Sequence, residues 1–480
     1  MAKRYARLSC GHDKPFWEEA DIQREVFSTY CIKINVVSLH SILLLLSLLS
    51  SSRSSALAPS LSTTNTAPLP MVKTLNDNTE SGTSSITSSS ATTTTETISY
   101  VEFYCGVGGW TMALEEAIHR TAPSIKLKRL AALDHSDVCV SVLEHNFPSS
   151  NKQKRKRPQS FAIERLTLNQ VHEWHADAWF MSPPCQPHTR QHDNQEQDLE
   201  DPRSKSFLHL CQLLQDMEES KLPHILIMEN VVGFELSGSC KRWRQVLTNR
   251  NYCLAHFHLT PTQVGLPNDR PRYFCVAVRR NNNDDGGGDG VDDGSTDWAK
   301  ILSTETNLES GPVILTQLPE LDILPVDSVG DLPPLSTFLD STAKESLRVP
   351  KKLLESPAAW CFDIVTPDLS RTACFTHSYG KFVRGTGSVL YTGPPSTKLK
   401  TLQAPQDRVF DANWADGLDL AQHLRYFSGS EMAKLMGFSE SFSFPSDCTP
   451  KQEWKLLGNS LNVRVAARLC ELALRVWMKK

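Results

Sequence analysis

The sequence predicts an α/β protein: a mostly parallel sheet with a smaller region inserted late in the chain. Three observations carry that expectation. From Ser99 to Arg280, short apolar runs alternate with amphipathic stretches, as strands and their covering helices do. The last two runs, Tyr252–Leu259 and Tyr273–Val278, are joined by a turn-rich loop, so the final pair is expected to be antiparallel. The residues with chemical character cluster where runs end, and in such sheets ligands bind at the carboxyl ends of strands.

Taken in order, the expected strands are Ser99–Cys105, Leu127–Asp134, Ser160–Glu164, Asp177–Met181, Ile225–Met228 and the final pair. Helical stretches include Thr111–Arg120 and Lys205–Ser220. Before them, residues 1–98 read as a disordered extension of low complexity. Half of the 48 residues from Ser51 to Ile98 are Ser or Thr, too polar to offset the entropy of folding. Val36–Leu49 is apolar but, at 14 residues, short for a membrane span, which needs about 20. It reads either as the core of an organellar targeting signal, with small residues near Ala58, or as part of an over-extended reading frame whose start is Met71.

Residues 99–280 form the main α/β region. Residues 281–297 are an acidic, Gly-rich linker, NNNDDGGGDGVDDGSTD, with Val291 as its one large apolar residue. Residues 298–423 are a separate region, and 424–480 a C-terminal segment with an apolar helix from Val463 to Val476. Over the whole chain of 480 residues, 40% are hydrophobic and 22% charged, with a net charge of −4. That mix excludes a wholly disordered, collagen-like or polytopic membrane protein. The overall charge does not mark a nucleic-acid binder, because binding needs only a local basic surface. Thirteen cysteines at irregular spacings, with no C-x-x-C, argue against a disulfide framework or a metal site and for a reducing compartment.

Four motifs carry chemistry. Phe103-Tyr-Cys-Gly-Val-Gly-Gly-Trp110 is a run ending in a glycine turn that opens a helix, which suits close approach of a ligand to backbone amides. It lacks the third glycine of the dinucleotide fingerprint. Asp134, ending the next run, has the position of a carboxylate that accepts both hydroxyls of a ribose, so the pair suggests a nucleoside cofactor without a pyrophosphate. Phe180-Met-Ser-Pro-Pro-Cys-Gln-Pro-His-Thr-Arg190 presents Cys185 from a loop stiffened by prolines, a poor context for a core cysteine. Met228-Glu-Asn-Val231 ends an apolar run in a carboxylate, either a salt-bridged residue or a placed acid. Asn268-Asp-Arg-Pro-Arg-Tyr-Phe274 sets Arg270 and Arg272 on one side of a strand entrance.

With Leu457-Gly-Asn-Ser-Leu-Asn-Val463, these motifs occur in the order of the cytosine-5 methyltransferase family, which the chain resembles from Ser99 to Lys480 apart from the acidic linker. Cys374-Phe-Thr-His-Ser-Tyr-Gly380, Gly385-Thr-Gly-Ser-Val389 and Leu424-Arg-Tyr-Phe-Ser with Lys434-Leu-Met-Gly-Phe438 resemble the branch that acts on transfer RNA, at cytosine 38 of the tRNA-Asp anticodon loop. The resemblance implies a Rossmann-like class I methyltransferase fold with a mostly parallel seven-stranded sheet and an inserted target-recognition domain at 298–423, the 424–480 segment returning to the first sheet through the helix from Val463 to Val476. It implies S-adenosyl-L-methionine as cofactor, tRNA as partner with DNA as the second choice, a monomer without stable membrane association, and the cytoplasm, with the nucleus as a second compartment.

The same resemblance assigns roles. Cys185 is the nucleophile that adds to C6 of the base, Glu229 the acid that holds N3 and the exocyclic amine, and Arg270 and Arg272 the groups that orient the base and stabilise charge. Val107, Gly108 and Gly109 would line the methionine part of the cofactor, Asp134 the ribose, Ile163 and Glu164 the adenine, with Ser182, Asn459 and Ser460 completing the pocket. Arg190, Cys374, Tyr379 and Arg384 would contact the substrate. Two departures from the family pattern stand out. His188 takes the place of an aromatic residue, and Lys152-Gln-Lys-Arg-Lys-Arg157 is longer and more basic than its counterpart, which suits a solvated loop, a phosphate contact or a nuclear import signal.

Overall fold

The computed structural model describes residues 96–148, 160–184, 197–280, 301–303, 305, 307–328, 330–342, 345–397, 399 and 413–478. Residues 1–95 of the expected N-terminal extension, the Lys152–Arg157 run, Cys185, His188, Arg190 and the acidic linker lie outside these residues; the extension's expected end at 98 is too late, because Thr97 and Ile98 already pair with Lys126 and Leu127 in the sheet.

Seven strands make one sheet: β1 (Thr97–Phe103), β2 (Lys126–Leu133), β3 (Ala178–Met181), β4 (Ile225–Val231), β5 (Tyr252–Leu259), β6 (Arg272–Arg279) and β7 (Ile314–Leu315). Their order is β2-β1-β3-β4-β6-β5-β7. β1 to β4 run parallel, β6 is antiparallel to both neighbours, and β7 is parallel to β5. The antiparallel final pair is therefore as expected.

The expected strand at Ser160–Glu164 is absent. There the backbone makes one hydrogen bond toward the sheet, from the Phe161 amide to the Asp134 carbonyl, and then turns into a short 3-10 helix, Ile163–Arg165. A capping box at Thr167 and Gln170 follows at once and starts α3 (Leu168–Trp174), leaving no length for pairing. The seventh strand is instead the two-residue β7, too short to announce itself by periodicity.

β4 shows why its sequence is continuously apolar. Ile225 and Ile227 point into the core on one face, and Leu226 and Met228 into the core on the other. One face is covered by α1 (Gly109–Thr121) and α8 (Val463–Met478), the other by α4 (Lys205–Asp216) and α5 (Gly238–Asn249). α8 buries Val463, Val465, Leu469, Leu472 and Leu474 against α1 and the β4–β6 part of the sheet. Each such side chain contributes about 1.5–3 kcal/mol, so α8 is a principal source of stability.

A second sheet of three strands, in the order β10-β9-β8, forms the inserted region: β8 (Asp363–Val365), β9 (Ser388–Tyr391) and β10 (Leu424–Arg425). It takes in two residues beyond the expected boundary at 423, because β10 pairs antiparallel with β9. The chain then returns through α6 (Gly429–Leu435) and α7 (Pro450–Gly458) to α8.

Candidate active site

β1 and β3 are neighbours, and the chain leaves their carboxyl ends in different directions, which opens a crevice at the switch point. The turn after β1 is built by left-handed residues: Tyr104, Gly106 and Gly108 all have positive φ. Gly108, at φ 89°, must be glycine on two counts, since a Cβ there would come within 2.8 Å of the Phe147 ring. At Gly109 a Cβ would fit only tightly, 3.1 Å from the Leu461 side chain and 3.3 Å from the Ser460 hydroxyl. The C-terminal segment thus closes one wall of the turn. Asn459 is exposed beside it and Ser460 half-buried.

Asp134 fixes the opposite wall. Its carboxylate accepts from the Gly106 amide at 3.0 Å and from the Ser136 amide at 2.9 Å, and the residue is buried. A carboxylate has about four lone-pair sites, so capacity remains for two hydroxyls. A Cβ at Gly106 would meet nothing within 4 Å, so the backbone faces open space beside Asp134. An open space bounded by glycine amides and a buried acid fits a nucleoside cofactor. Glu164 is exposed on the 3-10 turn and Ile163 is buried beneath it. Val107 is a core side chain, 1% exposed, so only its backbone faces the turn.

Beneath this turn lies a residue that sequence reading missed. Glu102, the next-to-last residue of β1, is fully buried and accepts from the Thr111 hydroxyl at 2.7 Å and the Trp110 amide at 3.3 Å, at the start of α1. Burial pushes its carboxyl up to about 7, opposed by the hydrogen bond from Thr111. A single acid in an apolar strand was its only signal.

From α1 a continuous chain of polar contacts runs across the ends of β3, β4 and β6. Trp110 Nε1 donates to Ser182 Oγ at 3.0 Å, and the Ser182 hydroxyl is near enough to Glu229 to pull its carboxyl down slightly. Glu229 Oε1 lies 3.2 Å from Arg272 Nε. Arg272 reaches the Cys374 sulfur at 3.8 Å, and Arg270 donates to the same sulfur at 3.2 Å. The two arginines therefore do share one side. Burial raises the Glu229 carboxyl above its ordinary value, with Arg272 and then Arg270 opposing. Burial would also raise the Cys374 thiol, but Arg270 and Arg272 outweigh it and hold the thiol below its ordinary value. Cysteine and arginines come from distant segments, yet they form one contact cluster.

Arg270 differs from the surface group that its sequence suggests. It is 2% exposed and donates to the carbonyls of Phe375, Gly458 and Ser460 at 2.7, 3.1 and 2.5 Å. It ties the main sheet to the inserted region and to the C-terminal segment. The fit is tight: a Cβ on Gly458 would lie 2.2 Å from the Thr376 carbonyl carbon. Asn268 adds bonds to Thr372 and Ala373.

Asn230, beside Glu229, is buried and donates to the Pro183 carbonyl at 3.4 Å. It holds the chain two residues before Cys185. Downstream, Asp198 accepts from the Gly238 and Ser239 amides at the start of α5.

Tyr379 corrects an expectation. It is 4% exposed, its ring packs edge-on to Phe375, Tyr426 and Trp454, and its hydroxyl donates to the Ser388 carbonyl and accepts from the Phe427 amide. Both capacities of the hydroxyl are used, so it braces the inserted region and is not presented to a substrate. Arg384 is exposed. Among the described residues no cluster of three or more metal-ligating side chains occurs, and no helix is long and apolar enough to cross a membrane.

The family model for C-5 cytosine-specific DNA methylases matches residues 98–332. A Homo sapiens protein named tRNA (cytosine(38)-C(5))-methyltransferase is 33% identical over 409 residues, which cover 78% of this chain and 99% of that protein. A Dictyostelium discoideum protein named DNA (cytosine-5)-methyltransferase is 31% identical over 391 residues, 78% of this chain and 94% of that one. Among solved structures, the S. pombe Dnmt2 methyltransferase superposes with a TM-score of 0.59 at 27% identity, covering 80% of this chain and 99% of that chain. With that likeness and this arrangement of residues, the chain belongs to the cytosine-5 methyltransferase family and is an enzyme of that family most like its tRNA cytosine-38 members.

Proposed function

We propose that the protein methylates C5 of cytosine 38 in the anticodon loop of tRNA, tRNA-Asp first among its substrates. The observation that carries this reading is the contact chain from Trp110 through Ser182, Glu229 and Arg272 to Cys374, which joins a nucleoside-shaped crevice to an acid and two cations.

Cytosine C5 is a poor nucleophile, and addition of a thiolate at C6 turns it into an enamine carbon that attacks readily. Cys185 is the thiol for that step, delivered by the loop that Asn230 holds at Pro183. Glu229, whose carboxyl burial raises above its ordinary value, hydrogen-bonds N3 and supplies a proton as charge builds on the ring. Arg272 holds Glu229 in place and, with Arg270, stabilises that charge. After C5 has gained its methyl group it loses its proton, and the bond from C6 to Cys185 breaks to release the thiolate. Gly106, Gly108, Asp134, Glu164 and Ser460 would hold S-adenosylmethionine, which when bound supplies the electrophilic methyl group.

A loop substrate suits this site, because extruding a base from a loop costs less than from a duplex, where it takes a few kcal/mol. The relative from Dictyostelium discoideum, named as a DNA methyltransferase, favours DNA as the second reading. Purified protein given tRNA-Asp, its cytosine-38-to-uridine variant and duplex DNA in parallel decides between them. Methyl transfer to the unaltered tRNA alone is expected; transfer to DNA at an equal rate would overturn the tRNA reading.

A further inference from the structure

Phe382 is the only exposed Phe, Tyr or Trp among the described residues, with 56% of its surface open. The loop around it is rigid. The amides of Lys381 and Phe382 both donate to the Ser378 carbonyl, and the Thr386 hydroxyl donates to the Phe382 carbonyl at 2.8 Å. Its neighbours Tyr379 and Val383 are buried, so the backbone holds the ring outward while anchoring on either side of it. Gly380 has φ +73°, and a Cβ there would run into Trp454 at 2.4 Å, which fixes the point where the loop turns out.

The surroundings are cationic. Lys381 Nζ sits 5.1 Å from the ring centroid, and Arg384 is exposed on the same loop. A planar aromatic face among cations is the arrangement by which proteins hold unpaired bases: the ring stacks and the cations meet the phosphates. The loop is also part of the active site at its base. Cys374 touches Arg270 and Arg272, and the Thr376 amide, two residues and at most roughly 7 Å further on, bonds to the Thr386 carbonyl at 3.0 Å and closes the loop.

We propose that Phe382, with Lys381 and Arg384, is a stacking platform for an unpaired nucleobase of the RNA substrate that flanks the target cytosine. This rests on the tRNA reading above. A stacked neighbour would hold the loop open on one side while the target base turns into the site. The phenyl ring would confer a preference for unpaired RNA without reading a particular base, because every base has a π face.

The test compares wild type with Phe382→Ala, Phe382→Leu and Phe382→Tyr on tRNA-Asp carrying 2-aminopurine at single anticodon-loop positions. Loss of a stacked base weakens RNA binding by roughly 5- to 150-fold in the alanine variant. Leucine keeps the apolar bulk without the ring and should bind as weakly as alanine, whereas tyrosine should restore binding and the fluorescence quenching at one loop position. S-adenosylmethionine binding should be equal in all four proteins. Alanine binding tRNA as tightly as wild type, or leucine restoring binding, would overturn the platform. Wild type that methylates tRNA while the variants match it sinks only this inference. Wild type that neither binds nor methylates tRNA sinks the substrate reading itself. Melting temperatures of the variants, expected to match wild type because the ring is exposed, separate binding from folding.

Discussion

Glu229 and Arg272 meet diagonally across two antiparallel strands, Oε1 to Nε 3.2 Å, although in register Glu229 faces Phe274 and Arg272 faces Val231. The diagonal lets the guanidinium cover one carboxylate oxygen while Ser182 approaches the group from β3. It makes Arg272 a control on the protonation of Glu229.

Replacing Glu229 by Gln is expected to lower kcat by roughly 10²- to 10⁴-fold, the usual worth of a placed proton donor. Arg272→Gln should also lower activity, but with a distinct signature. Arg272 pulls the Glu229 carboxyl down, so its loss lets burial raise that carboxyl further. The protonated form then persists to higher pH, and the alkaline limb of the kcat profile moves upward. A limb that stays in place in Arg272→Gln would exclude Glu229 as the titrating acid.

Cys185→Ala should abolish methyl transfer while S-adenosylmethionine binding, measured by calorimetry, stays within about twofold, since the crevice beside Asp134 is built from other segments. RNA with 5-azacytidine at the target should form an adduct with the unaltered protein that survives denaturant. Substantial turnover by the alanine variant would mean that another thiol attacks C6.

Arg270→Ala is expected to destabilise the fold by roughly 3–5 kcal/mol, because it strips the carbonyls of Phe375, Gly458 and Ser460 of their donor in a buried setting. Arg270→Lys should recover little, as one ammonium cannot span the forked geometry that reaches these carbonyls and the Cys374 sulfur. Urea unfolding checks both. A lysine variant as stable as the original protein would show that charge alone matters.

Glu102 predicts a pH dependence of stability. Its carboxyl sits near 7 in the folded chain against an ordinary 4.5, so the folded state holds its proton longer than the unfolded one. Stability from this group is therefore greatest below about pH 4.5 and declines as the pH rises to about 7, by on the order of 3 kcal/mol. Glu102→Gln removes the titration, so its stability should exceed that of the original protein at pH 8 and converge with it toward pH 5. Parallel stability curves for the two proteins between pH 5 and 8 would count against a protonated Glu102.

The strands legible in this sequence are those long enough to stand out as apolar runs, such as β4 and β5. Ser160–Glu164 misleads because Phe161 and Ile163 alternate like a strand, while the signal that ends the run, the Thr167 capping box, acts only through hydrogen bonds to amides. The individual site motifs could be seen, since glycine turns, Pro-Pro-Cys and paired arginines are local patterns. What they touch could not. Arg270 finds three of its partners, backbone carbonyls, 105, 188 and 190 positions away, and such groups leave no mark on residue type. Glu102 and Tyr379 show the same limit: an acid is hidden under a helix start, and a tyrosine that looked available to substrate uses both sides of its hydroxyl inside the core.

The wall formed by Leu461 and Ser460 against Gly109, with α8 laid along α1, joins parts of the chain made far apart in time. Thr121 and Val463 are 342 positions apart, so during synthesis the glycine turn and α1 emerge long before the segment that closes them. Until then α1 has an uncovered apolar face, and the crevice lacks one side. A ribosome-bound chain that has not yet reached residue 463 therefore has no finished cofactor pocket, however completely β1 to β6 have formed. Nascent protein should be unable to act on the tRNAs crowded around the machine that makes it, and chains that stop short of α8 should be aggregation-prone substrates for chaperones rather than slow enzymes.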